Sequence, residues 1–270
     1  MLKHTYILGI KVTQNDKKDI ISYITDYLQK KQTTPPLVIF TPNPEMIVQA
    51  RTVPTFTDVL NSSAINLPDG QGLLWASRRL YPTLPEKQIS KRIAGVEFMD
   101  DVVRVAAQER FSIGLIGGRR GVALQALNKL KQHNSTLTGW AIDGPEVTVS
   151  QTGTLTFTQN DASAFYKNII ERISTSNTRV LFVALGAPKQ ELFIEKLKHA
   201  AQAQHYDQPL VVMSVGGAFD IISGKISRAP TLFSNYEFIW RLMVEPWRFI
   251  RQLRLFTFIY LTLKARLVLQ

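Results

Sequence analysis

Asp69 stands between a proline and a glycine in Leu67-Pro68-Asp69-Gly70-Gln71-Gly72, just after a short apolar run. A carboxylate at that point can take a proton from a hydroxyl as general base, and the same residues equally suit an Asx-turn or a helix N-cap. Thr41-Pro42-Asn43 follows another apolar run and projects a hydroxyl and an amide from a stiffened loop, although Thr and Asn are also ordinary cap residues. Phe111 to Gly118, backed by Arg119-Arg120, puts the amides of Gly117 and Gly118 and two guanidinium groups at the start of a helix. That combination can hold phosphate oxygens, and a plain tight turn reads the same way. Two more loops, Gly186-Ala187-Pro188-Lys189-Gln190-Glu191 and Gly216-Gly217-Ala218-Phe219-Asp220, combine small residues with acids. There a ligand can approach the backbone while Glu191 or Asp220 binds hydroxyls of a base or ribose. Glu191 also fits a first helical turn, and Phe219 fits a core position as well as a stacking face.

Each of these loops follows a short, continuous apolar run and precedes a helical pattern. The runs at Leu37–Phe40, Ala64–Leu67, Phe111–Ile116, Arg179–Leu185 and Leu210–Val215 read as buried strands. Asp19–Lys30, Met46–Arg51, Val122–His133 and the stretch running to Ala203 read as helices. Strand, polar loop and helix in repetition predict an α/β fold: a mostly parallel, Rossmann-like sheet with helices on both faces. All the polar loops then fall at the carboxyl ends of the strands, where such sheets bind ligands. Asp143 to Asn160, rich in Thr, Ser and Gly, reads as an irregular exposed excursion. Beyond it we expect a catalytic domain over 1–229 and a basic helical appendage over 230–270.

Composition narrows the chemistry. With 270 residues, 45% hydrophobic, the chain can bury a full core. No cysteine is present, and the four histidines form no metal-ligand spacing. There is no Walker loop, no G-x-G-x-x-G after the first strand and no D-x-D, so we expect neither a nicotinamide cofactor nor an anchored divalent ion. The first ten residues lack a secretory h-region, so we expect a cytoplasmic chain, and the uncharged run Leu255–Leu263 is too short to span a bilayer. The net charge is +11, and from Lys225 to Gln270 eight Lys or Arg face only Glu237 and Glu245. Such a tail meets anions: nucleic acid, headgroups or diphosphates. With Pro246 as a breaker, Trp247–Leu267 can run as a helix with Arg248, Arg251, Arg254 and Arg266 on one arc. Phe249, Leu253, Phe256, Tyr260, Leu263 and Leu267 lie opposite, while Leu255, Phe258 and Lys264 break the pattern. This suits an anionic membrane surface, and a helix packed on the core is compatible with it. A basic nucleic-acid-binding protein is the alternative class, although no RRM, KH or zinc-finger signature is present.

Thr41-Pro42-Asn43, the Pro68-Asp69-Gly70 loop with Trp75-Ala76-Ser77-Arg78, Lys91 to Val96, Gly186 to Glu191, Gly216 to Asp220, and Trp240-Arg241-Leu242 with Glu245-Pro246 together resemble the WecG/TagA/CpsF family. This is glycosyltransferase family 26, and the motifs run in order over nearly the whole chain. The resemblance implies inverting, metal-independent and cofactor-free transfer of an N-acetylhexosamine, either N-acetylmannosamine or its uronic acid. The donor would be a UDP-sugar and the acceptor undecaprenyl-diphosphate-linked N-acetylglucosamine, in the synthesis of teichoic acid or another cell-surface polysaccharide. It further implies Asp69 as base, Thr41 and Asn43 along the donor sugar and diphosphate, and Arg92 facing the diphosphate. Gln190 would lie near one of the sugars and Asp220 near the uridine. The appendage would supply Arg241, Arg248 and Arg251 while the protein lies peripherally on the inner face of the cytoplasmic membrane, with nucleic acid not a partner and a homo-oligomer left open. Two departures mark this chain: five extra residues within Tyr81–Ile89, and Asp143-Gly144-Pro145 where the family tends to carry an aromatic after a glycine.

Overall fold

The computed structural model describes residues 2–31, 35–158, 161–226 and 249–268, the last segment with side chains from 253 to 267. The chain opens with an antiparallel hairpin, β1 (His4–Ile7) and β2 (Ile10–Thr13), followed by α1 (Lys17–Leu28). Strand β3 (Leu37–Phe40) leads into α2 (Pro44–Thr52) and α3 (Pro54–Ser62), and β4 (Ile65–Asn66) into α4 (Gln71–Leu80) and α5 (Gly95–Gln108). Next come β5 (Ser112–Gly117), α6 (Val122–His133), β6 (Thr138–Ile142) and a second hairpin, β7 (Val147–Val149) with β8 (Leu155–Phe157). The remaining elements are α7 (Ala162–Thr175), β9 (Thr178–Ala184), α8 (Lys189–Ala203), β10 (Val211–Ser214), the short α9 (Ala218–Ile222) and α10 (Phe249–Val268).

Among the described residues, six strands form one sheet in the order β4-β3-β10-β9-β5-β6, every neighbouring pair parallel. Because side chains alternate across a strand, each central strand feeds two cores. Val38, Phe40, Leu181, Val183 and Val212 face the layer built from α2, α3, α4, α7 and α8. Leu37, Ile39, Val180, Phe182, Val211 and Met213 face α1, α5, α6 and α9. Burial on both faces is why these strands read as continuous apolar runs.

The segment read as an exposed excursion contains the β7–β8 hairpin, which is anchored rather than free. Val147 and Leu155 are buried, and the Phe157 ring meets Tyr166 edge-on at 5.6 Å. At the sheet margin, the first hairpin is tied to β4 through side chains. The Asn66 backbone N–H donates to Thr13 Oγ1 at 3.1 Å, and Asn66 Nδ2 donates to the Lys11 and Leu60 carbonyls at 2.8 and 2.7 Å.

Helix α10 lies on α2 and α4. Phe258, which interrupts the sequence's amphipathic wheel, is the residue that docks: it is fully buried with Thr262 and belongs to the core beneath α2 and α4. The three helices meet at Gly72, where an added Cβ would stand 2.6 Å from Pro44 Cγ and 3.8 Å from Phe258 Cε1. Arg254 Nη1 adds a long hydrogen bond of 3.4 Å to Gln49 Oε1 of α2. The division at 229/230 falls within 227–248, outside the described residues. Truncating a fully buried phenylalanine removes its contacts and leaves a cavity, so Phe258→Ala should cost about 3 kcal/mol, read as a lower urea midpoint at unchanged slope. An unchanged midpoint would mean that α10 contributes nothing to the fold.

Candidate active site

In a fully parallel sheet the loops after β3, β4, β5, β9 and β10 all emerge at one edge. The first two are zipped together beyond their strands. Leu67 N–H donates to Phe40 O at 2.8 Å, and Asp69 N–H donates to Pro42 O at 3.2 Å. The segment carrying Arg92 is drawn alongside by Ile93 N–H donating to Pro68 O at 3.0 Å. An added Cβ on Gly95, at the start of α5, would come within 3.2 Å of Thr41 Cγ2. Thr41, Asn43, Asp69 and Arg92, carried by three separate segments of the chain, are thus gathered together where two interlocked loops meet the segment before α5.

Within this cluster Arg92 Nε donates to Asp69 Oδ1 at 3.2 Å, an ion pair in which both side chains are largely but not wholly covered. The guanidinium fixes the carboxylate's direction while both groups keep a face toward solvent. Asn43 is the N-cap of α2, its Oδ1 accepting from Met46 N–H at 3.0 Å. The ordinary cap reading of Asn43 is therefore realised in the fold.

The loop after β5 is engaged internally. Gly118 N–H donates to Ala184 O, and both Asp143 carboxylate oxygens accept from Gly121 N–H at 3.0 and 3.2 Å, so the chain's own carboxylate sits at the α6 N-terminus. Gly117 has φ +135, and a Cβ there would lie 2.3 Å from Ala184 O, so the small residue serves close strand packing. Gly117 and Gly118, the expected phosphate cradle, are thus engaged in contacts with β9. Sequence reasoning had no signal for Asp143 in this role, since its partner lies 22 residues earlier.

The remaining loops also turn inward. Phe219 is 1% exposed in the core under α9, so it offers no stacking face, correcting the expectation of ligand contact. Asp220 keeps partial exposure and pairs with Lys225 Nζ at 3.3 Å. Gln190 is buried, and its Oε1 accepts from Gly186 N–H at 3.2 Å and Gly216 N–H at 3.1 Å, joining the ends of β9 and β10. Its Nε2 donates to Glu191 Oε1 at 2.7 Å. Glu191, expected to bind hydroxyls, is 0% exposed and has its carboxyl against the Gln190 amide. Arg241 and Arg248 lie outside the described residues, as does the side chain of Arg251.

Burial pushes the Glu191 carboxyl up to about 7, with the hydrogen bond from Gln190, the backbone and the nearby Ser214 hydroxyl pulling the other way. Below the ordinary value of 4.5 the acid is protonated both folded and unfolded. Between 4.5 and about 7 the unfolded chain releases the proton that the folded chain keeps, so rising pH lowers stability through that window. Glu191→Gln should remove this loss, gaining about 3 kcal/mol relative to the unaltered protein between the bottom and top of the window. Urea titrations across that pH range measure it, and a constant difference between the two proteins would refute the assignment.

The fold and its edge define a doubly wound α/β protein with an acid–guanidinium pair at the place where such sheets bind ligands. The model of the glycosyl transferase WecG/TagA/CpsF family matches residues 5–270, and the chain belongs to that family. It is 32% identical over 241 residues to the N-acetylglucosaminyldiphosphoundecaprenol N-acetyl-beta-D-mannosaminyltransferase of Bacillus subtilis (strain 168), covering 87% of this chain and 82% of the relative. A protein of the same name from Bacillus spizizenii (strain ATCC 23059 / NRRL B-14472 / W23) is 28% identical over 231 residues, 84% of this chain and 78% of the relative. The family decides between the two classes the sequence left open, in favour of a glycosyl transferase.

Proposed function

We propose that this chain transfers N-acetylmannosamine, or its uronic acid, from a UDP-linked donor to undecaprenyl-diphosphate-linked N-acetylglucosamine, with inversion and without a divalent ion. The observation that carries the reading is the Asp69–Arg92 pair on the interlocked loops, joined to the acceptor and sugar named in the relatives. Asp69 removes the proton from the acceptor hydroxyl as its oxygen attacks the anomeric carbon. The bond from that carbon to the UDP oxygen breaks on the opposite face, so one displacement inverts the centre and its electron pair leaves with UDP. The chain has no D-x-D to anchor a metal, and arginines suit the developing diphosphate charge. Arg92 is the nearest candidate, with Arg241, Arg248 and Arg251 as contributors from the tail. Thr41 lies beside this pair and lines the donor.

A lipid-linked acceptor asks for a surface compatible with a bilayer. No helix among the described residues is long and apolar enough to cross a membrane. Helix α10, docked through Phe258 and Thr262, turns Leu253, Phe256, Tyr260, Leu263 and Leu267 to solvent, with Phe256 69% and Leu267 74% exposed. Arg79 and Arg266 stand over Leu263 and Leu267 at an open cleft of about 420 Å³. Apolar side chains edged by guanidinium groups match an anionic bilayer surface, and we assign that contact to the inner face of the cytoplasmic membrane.

With EDTA present, the unaltered protein should transfer from UDP-N-acetylmannosamine to a synthetic lipid-diphosphate N-acetylglucosamine. Asp69→Asn should lose about 10²-fold or more in kcat. Undiminished transfer by Asp69→Asn would remove Asp69 as base, and dependence on added magnesium would remove metal independence. Separately, the double change Phe256→Ser with Tyr260→Ser should weaken sedimentation with phosphatidylglycerol vesicles at least about tenfold, since each ring contributes apolar burial. Equal sedimentation would assign the exposed face to something other than lipid.

A further inference from the structure

We propose that Glu191 is a positioning residue: by accepting a hydrogen bond from the Gln190 amide it fixes which way round that amide sits, and thereby holds the two loops that end β9 and β10. The inference rests on the proposed transfer, whose donor would bind at the sheet edge that these loops share with the Asp69–Arg92 pair.

The argument is one of donors and acceptors. Gly186 N–H and Gly216 N–H both reach a single oxygen of Gln190, at 3.2 and 3.1 Å. A carboxamide carries acceptor lone pairs on one end and two N–H groups on the other, in nearly equal volume. Turned through half a revolution about its last torsion, Gln190 would set its own N–H groups against two N–H donors, and both loop bonds would be lost. The two loop N–H groups favour the oxygen end of the amide, and Glu191 Oε1, 2.7 Å from Gln190 Nε2, engages the other end. An acceptor at that place adds a third hydrogen bond to the observed orientation and holds the amide against both loops, which an apolar side chain would not do.

Glu191 forms no ion pair among the described residues. Its own backbone and the Ser214 hydroxyl at the end of β10 also act on the carboxyl, yet the contact of good hydrogen-bond geometry is the one with the Gln190 amide at 2.7 Å. A buried acid is costly, so that contact is the feature that best accounts for it. Because β9 and β10 are hydrogen-bonded neighbours, one oxygen atom sets the spacing of the loops that leave them. A displacement of about 1 Å at such a loop is enough to spoil alignment of a bound donor.

Three variants test this. Glu191→Gln still offers a carbonyl to Gln190, Glu191→Met keeps the volume without the acceptor, and Glu191→Asp withdraws the carboxyl by one methylene. Amide hydrogen exchange at Gly186 and Gly216 should stay slow in Glu191→Gln and accelerate at least about tenfold in the Met and Asp variants, with the β5 amides unchanged. In the transfer assay Glu191→Gln should keep kcat within about threefold, while Met and Asp should lower kcat more than they raise KM. Protection of both amides retained in a folded Met or Asp variant would overturn the proposal, as would a Gln variant as impaired as Met. If Met does not fold, Asp makes the decision. Exchange needs no substrate, so absence of transfer by every protein, the unaltered one included, would count against the assigned reaction and leave the positioning role to be judged on exchange.

Discussion

A parallel sheet ends all its strands at one edge, and the backbone N–H groups that pass beyond the edge have no further strand to meet. Each must find another acceptor or face water. This chain answers with side chains and carbonyls alike: Asn43 accepts from Met46, Asp143 from Gly121, and Gln190 from Gly186 and Gly216. Phe40 O, Pro42 O and Ala184 O accept from Leu67, Asp69 and Gly118. The shape of the candidate site follows from these choices, because each bond fixes where its loop leaves the sheet.

Sorting the edge in this way separates Asp69 and Arg92 from their neighbours. They pair with each other while keeping a face open, whereas Gln190, Glu191 and Phe219 are enclosed. The five loops are therefore unequal in kind. Under the proposed reading the loop after β4 presents the base, while the buried Gln190 beyond β9 ties the loop there to the one after β10.

Much of the sheet was legible because burial on both faces leaves a local mark. Leu37–Phe40 and the apolar runs of β5, β9 and β10 need no partner to be recognised. Thr41, Asn43 and Asp69 were legible as residue types at strand ends, whereas Arg92 came only from the family resemblance and its 3.2 Å pairing with Asp69 from neither. What could not be read is direction. Glu191 and Phe219 stand at strand ends like Asp69, and only three-dimensional packing turns them inward. Phe258 was discounted because it broke a helical wheel drawn on charge, yet the wheel holds two apolar faces, one for the body and one for solvent. The β7–β8 hairpin escaped notice because its strands, V-T-V and L-T-F, alternate over only three residues each, too short a run to stand out from a Thr- and Ser-rich loop.

The margin of the sheet at β4 has a consequence for how the molecule is made. Asn66 donates its backbone N–H to the Thr13 hydroxyl and its side-chain amide to the Lys11 carbonyl, so the Thr13 side chain occupies a group that an incoming strand would otherwise use. The hairpin is translated before β4, so its anchor does not exist until β4 has been made. Through that interval it is a two-stranded ribbon without a floor, of a kind that is marginal in water alone. The hairpin therefore waits on the chain behind it, and a pause in synthesis before Asn66 would expose that waiting segment to a neighbouring nascent chain.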